Sequence, residues 1–101
     1  MQREVLKYTT LDNRQYHVLQ IKDLVSYPFN KEDLNNWVCC RQGEGIYHRK
    51  FRTLREALIE IEIRGNANIQ KYLIFKEDIF KEYYIQMMER VDAFIDQKKS
   101  I

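Results

Sequence analysis

Between positions 37 and 57 the chain reads WVCCRQGEGIYHRKFRTLREA. A β-prone run, two glycines that accept positive φ, a second β-prone run and a helix-start signal follow one another with few residues between them. Local chemistry therefore asks for strand, tight turn, strand and capped helix. Strands are expected at 37–42 and 46–52, around a turn made by Glu44-Gly45 or by the four residues 42–45. Thr53 to Glu56 reads as a capping box, the Thr53 hydroxyl accepting from the Glu56 amide and the Glu56 carboxylate reaching back to Thr53. Leu54, Ala57, Leu58 and Ile61 then recur at i, i+3, i+4 and i+7, the period of a helix with one buried face. Gly65 ends this helix, and Arg64 suits its negative end.

Around this segment the pattern is plainer. Residues 4–10 and 15–22 are rich in β-formers and flank Leu11, Asp12, Asn13 and Arg14, a turn sequence, so they form a first hairpin. Residues 24–36 connect the hairpins. Tyr27 is held extended by Pro28, and Asn30 can cap a short helical turn with Glu32 and Asp33 at its positive end. Residues 66–75 are ambiguous, because the short apolar run 72–75 suits either a buried strand or the start of a helix. From 77 to 98 neither Gly nor Pro interrupts a helical pattern. The expectation is a single α+β domain over residues 1–101: a small antiparallel β-sheet of two hairpins with two helices packed on one face, the C-terminal one long.

Size and charge narrow the function. A chain of 101 residues makes one domain, and its 45% apolar content with 13% aromatics supports a core. Seventeen basic and 15 acidic residues leave a net charge of +2, too weak a global field to drive nucleic-acid binding, so any such binding needs a local patch. Two adjacent cysteines read as reduced thiols, which suits a cytoplasmic protein. No apolar run is long enough for a membrane helix, and residues 1–4 lack the apolar core of a signal peptide. A bias to Lys, Ile, Asn and Tyr with a single Pro fits an AT-rich genome, as in many Gram-positive bacteria and their phages.

Two surfaces emerge as candidates. With an even-length turn, β alternation puts Val38, Cys40, Gln42, Tyr47, Arg49 and Phe51 on one face of the second hairpin. Trp37, Cys39, Arg41, Ile46, His48, Lys50 and Arg52 fall on the other. The first set, being more apolar, is assigned to the helices. The second then offers Trp37, Arg41, His48, Lys50 and Arg52 to solvent, a nucleic-acid platform in which cations meet phosphates and the indole stacks on a base. An odd-length turn would scramble these faces.

The C-terminal helix offers the second surface. Phe80, Tyr84, Met87, Val91 and Phe94 form its central stripe, widened by Ile79 and Tyr83 on one side and Met88 and Ile95 on the other. Such an arc exceeds what one packed face needs. Tyr83, Tyr84, Met87, Met88 and Val91 are the candidates to meet a protein partner or a second copy of the chain; the alternative is that so small a domain wraps its own loops and first hairpin around this helix.

Catalytic and metal motifs are not found. His17, His48, Cys39 and Cys40 match no zinc spacing, Gly43 to Gly45 is too short for a phosphate loop, and Glu60 and Glu62 cannot share a helix face. A Cys39–His48 pair lacks an orienting group and an oxyanion device. No cofactor is implied. The strand, Gly turn, strand and the helix opening Phe51-x-Thr53-x-x-Glu56-Ala57 resemble the sheet-plus-helix arm-binding domains of phage integrases; the likeness spans residues 37–57, and the long C-terminal helix departs from it. The expectation is a non-catalytic binding protein that docks on a protein partner. Inhibition or modulation of a host or defence enzyme by a phage or mobile-element protein is one concrete form. Nucleic-acid binding through the Trp37 face is the alternative.

Overall fold

The computed structural model describes residues 5–23, 30–41 and 49–99. Three strands, β1 (Leu6–Thr9), β2 (Gln15–Gln20) and β3 (Trp37–Arg41), form one antiparallel sheet in the order β1-β2-β3. Three helices follow: α1 (Leu54–Arg64), α2 (Ala67–Phe75) and α3 (Lys81–Lys99). The α+β class holds, but as a three-stranded meander with three helices rather than two hairpins with two.

The first hairpin forms as its turn chemistry demands. The Thr10 amide donates to the Arg14 carbonyl at 2.9 Å and the Asn13 amide to the Thr10 carbonyl at 2.9 Å. Asn13 takes φ 68°, a left-handed conformation that its short polar side chain tolerates. Asn30 occupies the cap position of a 3-10 turn at Lys31–Asp33, yet its side chain makes no capping bond.

The second hairpin is where expectation and structure part. Its turn and much of its returning strand, 42–48, lie outside the described residues. At 49–50 the backbone is not in a strand, and Phe51 makes an isolated antiparallel bridge to Trp37. The Phe51 carbonyl accepts from the Trp37 amide at 2.7 Å, and the Trp37 carbonyl from the Phe51 amide at 2.9 Å. Paired residues share a face, so Trp37 lies on the same side as Phe51, not opposite it. An odd number of residues separates the two, which is the case that reverses the alternation.

Trp37 and Cys39 consequently face the helices, and Val38 joins Leu19 and Ile21 in a separate small cluster. The helix-side core joins Leu6, Tyr8 and Val18 of the sheet to Leu58 and Ile61 of α1, Ile69 of α2, and Met87 and Val91 of α3. Burial of each large apolar side chain contributes about 1.5–3 kcal/mol.

The helix ends follow from local chemistry. The Thr53 hydroxyl accepts from the Glu56 amide at 3.1 Å; the reciprocal bond to the Glu56 carboxylate is absent among the described residues. Residues 66–75 resolve as helix, because the Asn66 carboxamide oxygen accepts from the Asn68 and Ile69 amides at 3.1 and 3.2 Å and starts α2. Lys76, at φ 57°, ends it. A 3-10 turn at Asp78–Phe80 leads into α3, so the long helix starts at Lys81 rather than 77.

Gly65 caps the end of α1 as expected, and it has a second role. Its φ of −104° is open to any residue. A Cβ there would lie 2.2 Å from the Arg14 guanidinium carbon. Arg14 occupies that space to donate to the Ile61 carbonyl at 3.0 Å and the Glu62 carbonyl at 3.4 Å. Gln70 donates to the Ile63 and Arg64 carbonyls at 2.7 and 3.0 Å. All four carbonyls that the end of α1 leaves without a helical partner are thus met by side chains.

Candidate functional site

The largest exposed apolar side chains lie where α2 turns into α3. Ile74 is 70% exposed, Phe75 61%, Ile79 74% and Tyr83 40%. They are exposed because the inner faces of their elements are already filled: Ile69 and Leu73 take the core side of α2, and Met87 and Val91 that of α3. The left-handed Lys76 forces a corner between the helices, and α2 packs against both the 3-10 turn and α3. Around the corner Lys76, Glu77, Asp78, Lys81 and Glu82 are exposed and carry both signs of charge.

The residues expected on the C-terminal helix are therefore divided. Tyr83 is exposed. Tyr84 packs against the core, its ring 5.2 Å from that of Tyr72, and Met88 is half-buried beside it. Met87 and Val91 are fully buried, out of reach of any partner. The wide apolar arc of α3 is spent on α1, α2 and the sheet, because a domain this small has one core that every element must share.

The residues expected on a nucleic-acid face are divided too. Trp37 is half-buried against the helix-side core. Lys50 is ion-paired with Asp33 at 2.8 Å, while Arg41 and Arg52 are exposed. His48 lies outside the described residues. Arg49 reaches α1, bonding Glu60 at 2.8 Å, with its guanidinium 5.7 Å from the centre of the Phe51 ring. Trp37 and Arg49 thus share the helix side, and the indole packs against the core rather than standing free for a base to stack on.

A buried polar group that the helical pattern does not single out joins the layers. Glu62 is 0% exposed, on α1. Its carboxylate accepts from the Tyr8 hydroxyl at 2.6 Å and the Leu11 amide at 2.7 Å, and Arg90 of α3 approaches to 3.8 Å. Arg90 also donates to the carbonyls of Thr9 and Thr10. Burial and the bond to Glu62 push the Tyr8 phenol well above its ordinary range. The one sequence signal was a Glu between two isoleucines, Ile61 and Ile63, close to the core stripe.

Beside this hub runs a groove of about 540 Å³, lined by Lys7, Tyr8 and Thr9 of β1 and by Arg90, Ala93, Phe94 and Gln97 of α3. The Tyr8 ring meets Phe94 edge-on at 5.0 Å and 89°. A smaller cleft of about 240 Å³ lies between Arg49, Phe51 and α1.

Neither cysteine is in a disulfide, and Cys39 is buried. Burial, then the neighbouring Cys40 and Glu60, push its thiol up to about 12, so it carries no nucleophilic thiolate near neutral pH. Among the described residues no three His, Cys, Asp or Glu side chains gather in a way that could hold a metal ion. No described helix is long and apolar enough to cross a membrane. Compared with protein-family models, with curated proteins and with solved structures, the chain matches none.

Proposed function

We propose that the chain is a small non-catalytic binding protein that docks on a protein partner through the α2–α3 corner. The observation that carries this is the exposure of Ile74, Phe75, Ile79 and Tyr83 together, within a rim of mixed charge. An apolar centre ringed by polar groups is how protein interfaces are built. Exposed aromatic and branched side chains grouped at one place carry more binding energy than the same residues scattered. Modulation of a host or defence enzyme remains the concrete form of this proposal.

Site-specific photo-crosslinking from position 79 tests it. A partner captured from native extract by the wild-type surface is expected to be lost in Phe75→Glu, with the fold and melting temperature unchanged. Equal capture by Phe75→Glu sinks the proposal. Salt-dependent binding of single-stranded DNA or RNA, abolished by Arg41→Glu with Arg52→Glu, would favour the nucleic-acid alternative instead.

A further inference from the structure

We propose that the groove between β1 and α3 takes an extended acidic segment of a partner protein, which adds to the sheet as a fourth strand. This site is separate from the α2–α3 corner and stands or falls without it.

Among the described residues β1 is the outermost strand, and no strand pairs with its outer edge. The Thr10 amide bonds the Arg14 carbonyl, which sets the phase of the ladder. Pairs alternate along an antiparallel ribbon, so Tyr8 with Tyr16 and Leu6 with Val18 exchange the inward bonds. Lys7 and Thr9 then turn their N–H and C=O groups away from β2. Arg90 finds the Thr9 carbonyl from the α3 side, which independently establishes that direction.

The opposite wall suits a strand. Arg90, Ala93, Phe94 and Gln97 recur at i, i+3, i+4 and i+7, one face of α3. Ala93, in the middle of that face, leaves the space that a longer side chain would close. A strand entering here finds main-chain donors and acceptors on one side and an apolar wall on the other, the arrangement of strand addition.

Charge selects the partner. Two of the lining residues are cationic, Lys7 and Arg90, and none is a carboxylate. The Lys98 ammonium lies 5.1 Å from the centre of the Phe94 ring and adds a further cation nearby. Lys7 has no ion-pair partner among the described residues. Arg90 bonds the Thr9 and Thr10 carbonyls through Nη2 and lies 3.8 Å from the Glu62 carboxylate, so the exposed Lys7 and Lys98 carry the charge argument. Their ammonium donors match carboxylates on an extended peptide. The competing role is that the same cations merely guard an edge against pairing.

The test is ¹⁵N NMR of the full chain with a terminally blocked decapeptide alternating Val and Glu, and with its Val–Lys counterpart. The acidic peptide is expected to shift the Lys7 and Thr9 amides and slow their exchange, weakening with salt; the basic one is expected to do neither. Thr9→Pro removes only an outward N–H, which an edge strand tolerates, and should weaken binding roughly tenfold. Ala93→Glu, on an exposed helix position, should abolish it and serves if Thr9→Pro does not fold. Failure of the acidic peptide to bind at millimolar concentration overturns the proposal. Shifts confined to another surface, equal binding of the basic peptide, or wild-type binding by folded Ala93→Glu overturn it as well.

Discussion

The Tyr8 hydroxyl donates to the Glu62 carboxylate across 2.6 Å inside the core, tying the edge strand to the first helix. A carboxyl group held in so dry a place needs every partner it has. Tyr8→Phe removes one of them and is expected to cost about 1–3 kcal/mol. Urea unfolding measures this. A loss below about 0.5 kcal/mol, the range of an ordinary surface change, shows that the bond is not formed.

Gly65 and Arg14 are coupled by space. Gly65→Ala is expected to displace the guanidinium and release the Ile61 and Glu62 carbonyls, costing about 1–3 kcal/mol. In an Arg14→Ala background the same substitution should be nearly neutral. A double-mutant cycle with coupling under about 0.5 kcal/mol contradicts this arrangement.

Stability is expected to fall at both ends of the pH scale. Burial raises the Asp12 carboxyl, but bonds from Arg14 and Thr10 and the Arg14 charge outweigh it and hold the group below the ordinary 3.8. Its contribution is present above the unfolded value and is lost as pH drops through the folded one. At the alkaline end the Cys39 thiol moves from 9.0 to about 12, so the folded state keeps a proton that the unfolded chain sheds. Stability then declines as pH rises from about 9 towards 12, with Tyr8 acting in the same direction. Thermal melts across pH check this: Asp12→Asn should flatten the acid limb, and Cys39→Ala should soften the alkaline one.

Trp37 works as a core residue. Trp37→Ala is expected to destabilise by an amount approaching the ~3–5 kcal/mol of a fully buried aromatic. Its fluorescence should not respond to added single-stranded DNA. Quenching by DNA with little loss of stability would restore the indole to the surface.

Much of this architecture was readable from local chemistry. The turn at Leu11 to Arg14, the Thr53 cap and the stripe of Leu58 and Ile61 involve residues a few positions apart, so backbone preference and periodicity determine them directly. Even α2, ambiguous by its apolar run, carried a start signal in Asn66 directly after Gly65. The candidate site was far less legible. Ile79 and Tyr83 appeared on the flank of the wide α3 stripe, but Ile74 and Phe75 could not be told from core, because exposure depends on which faces neighbouring helices have already filled. The i, i+2 spacing that excludes a Glu60–Glu62 pair says nothing of Glu62 alone, since a carboxylate beside an apolar stripe gains its partners only from Tyr8 and Leu11 of another layer.

The chain alone therefore determined an α+β domain, its first hairpin, its capped helix and its long C-terminal helix, all through contacts between near neighbours. Only the tertiary structure decided which face of β3 is inner. One bridge between Trp37 and Phe51 sets the parity of the returning chain, and a shift by a single residue exchanges the faces of a strand. That long-range pairing moved the indole from solvent to core and left the α2–α3 corner as the exposed apolar surface.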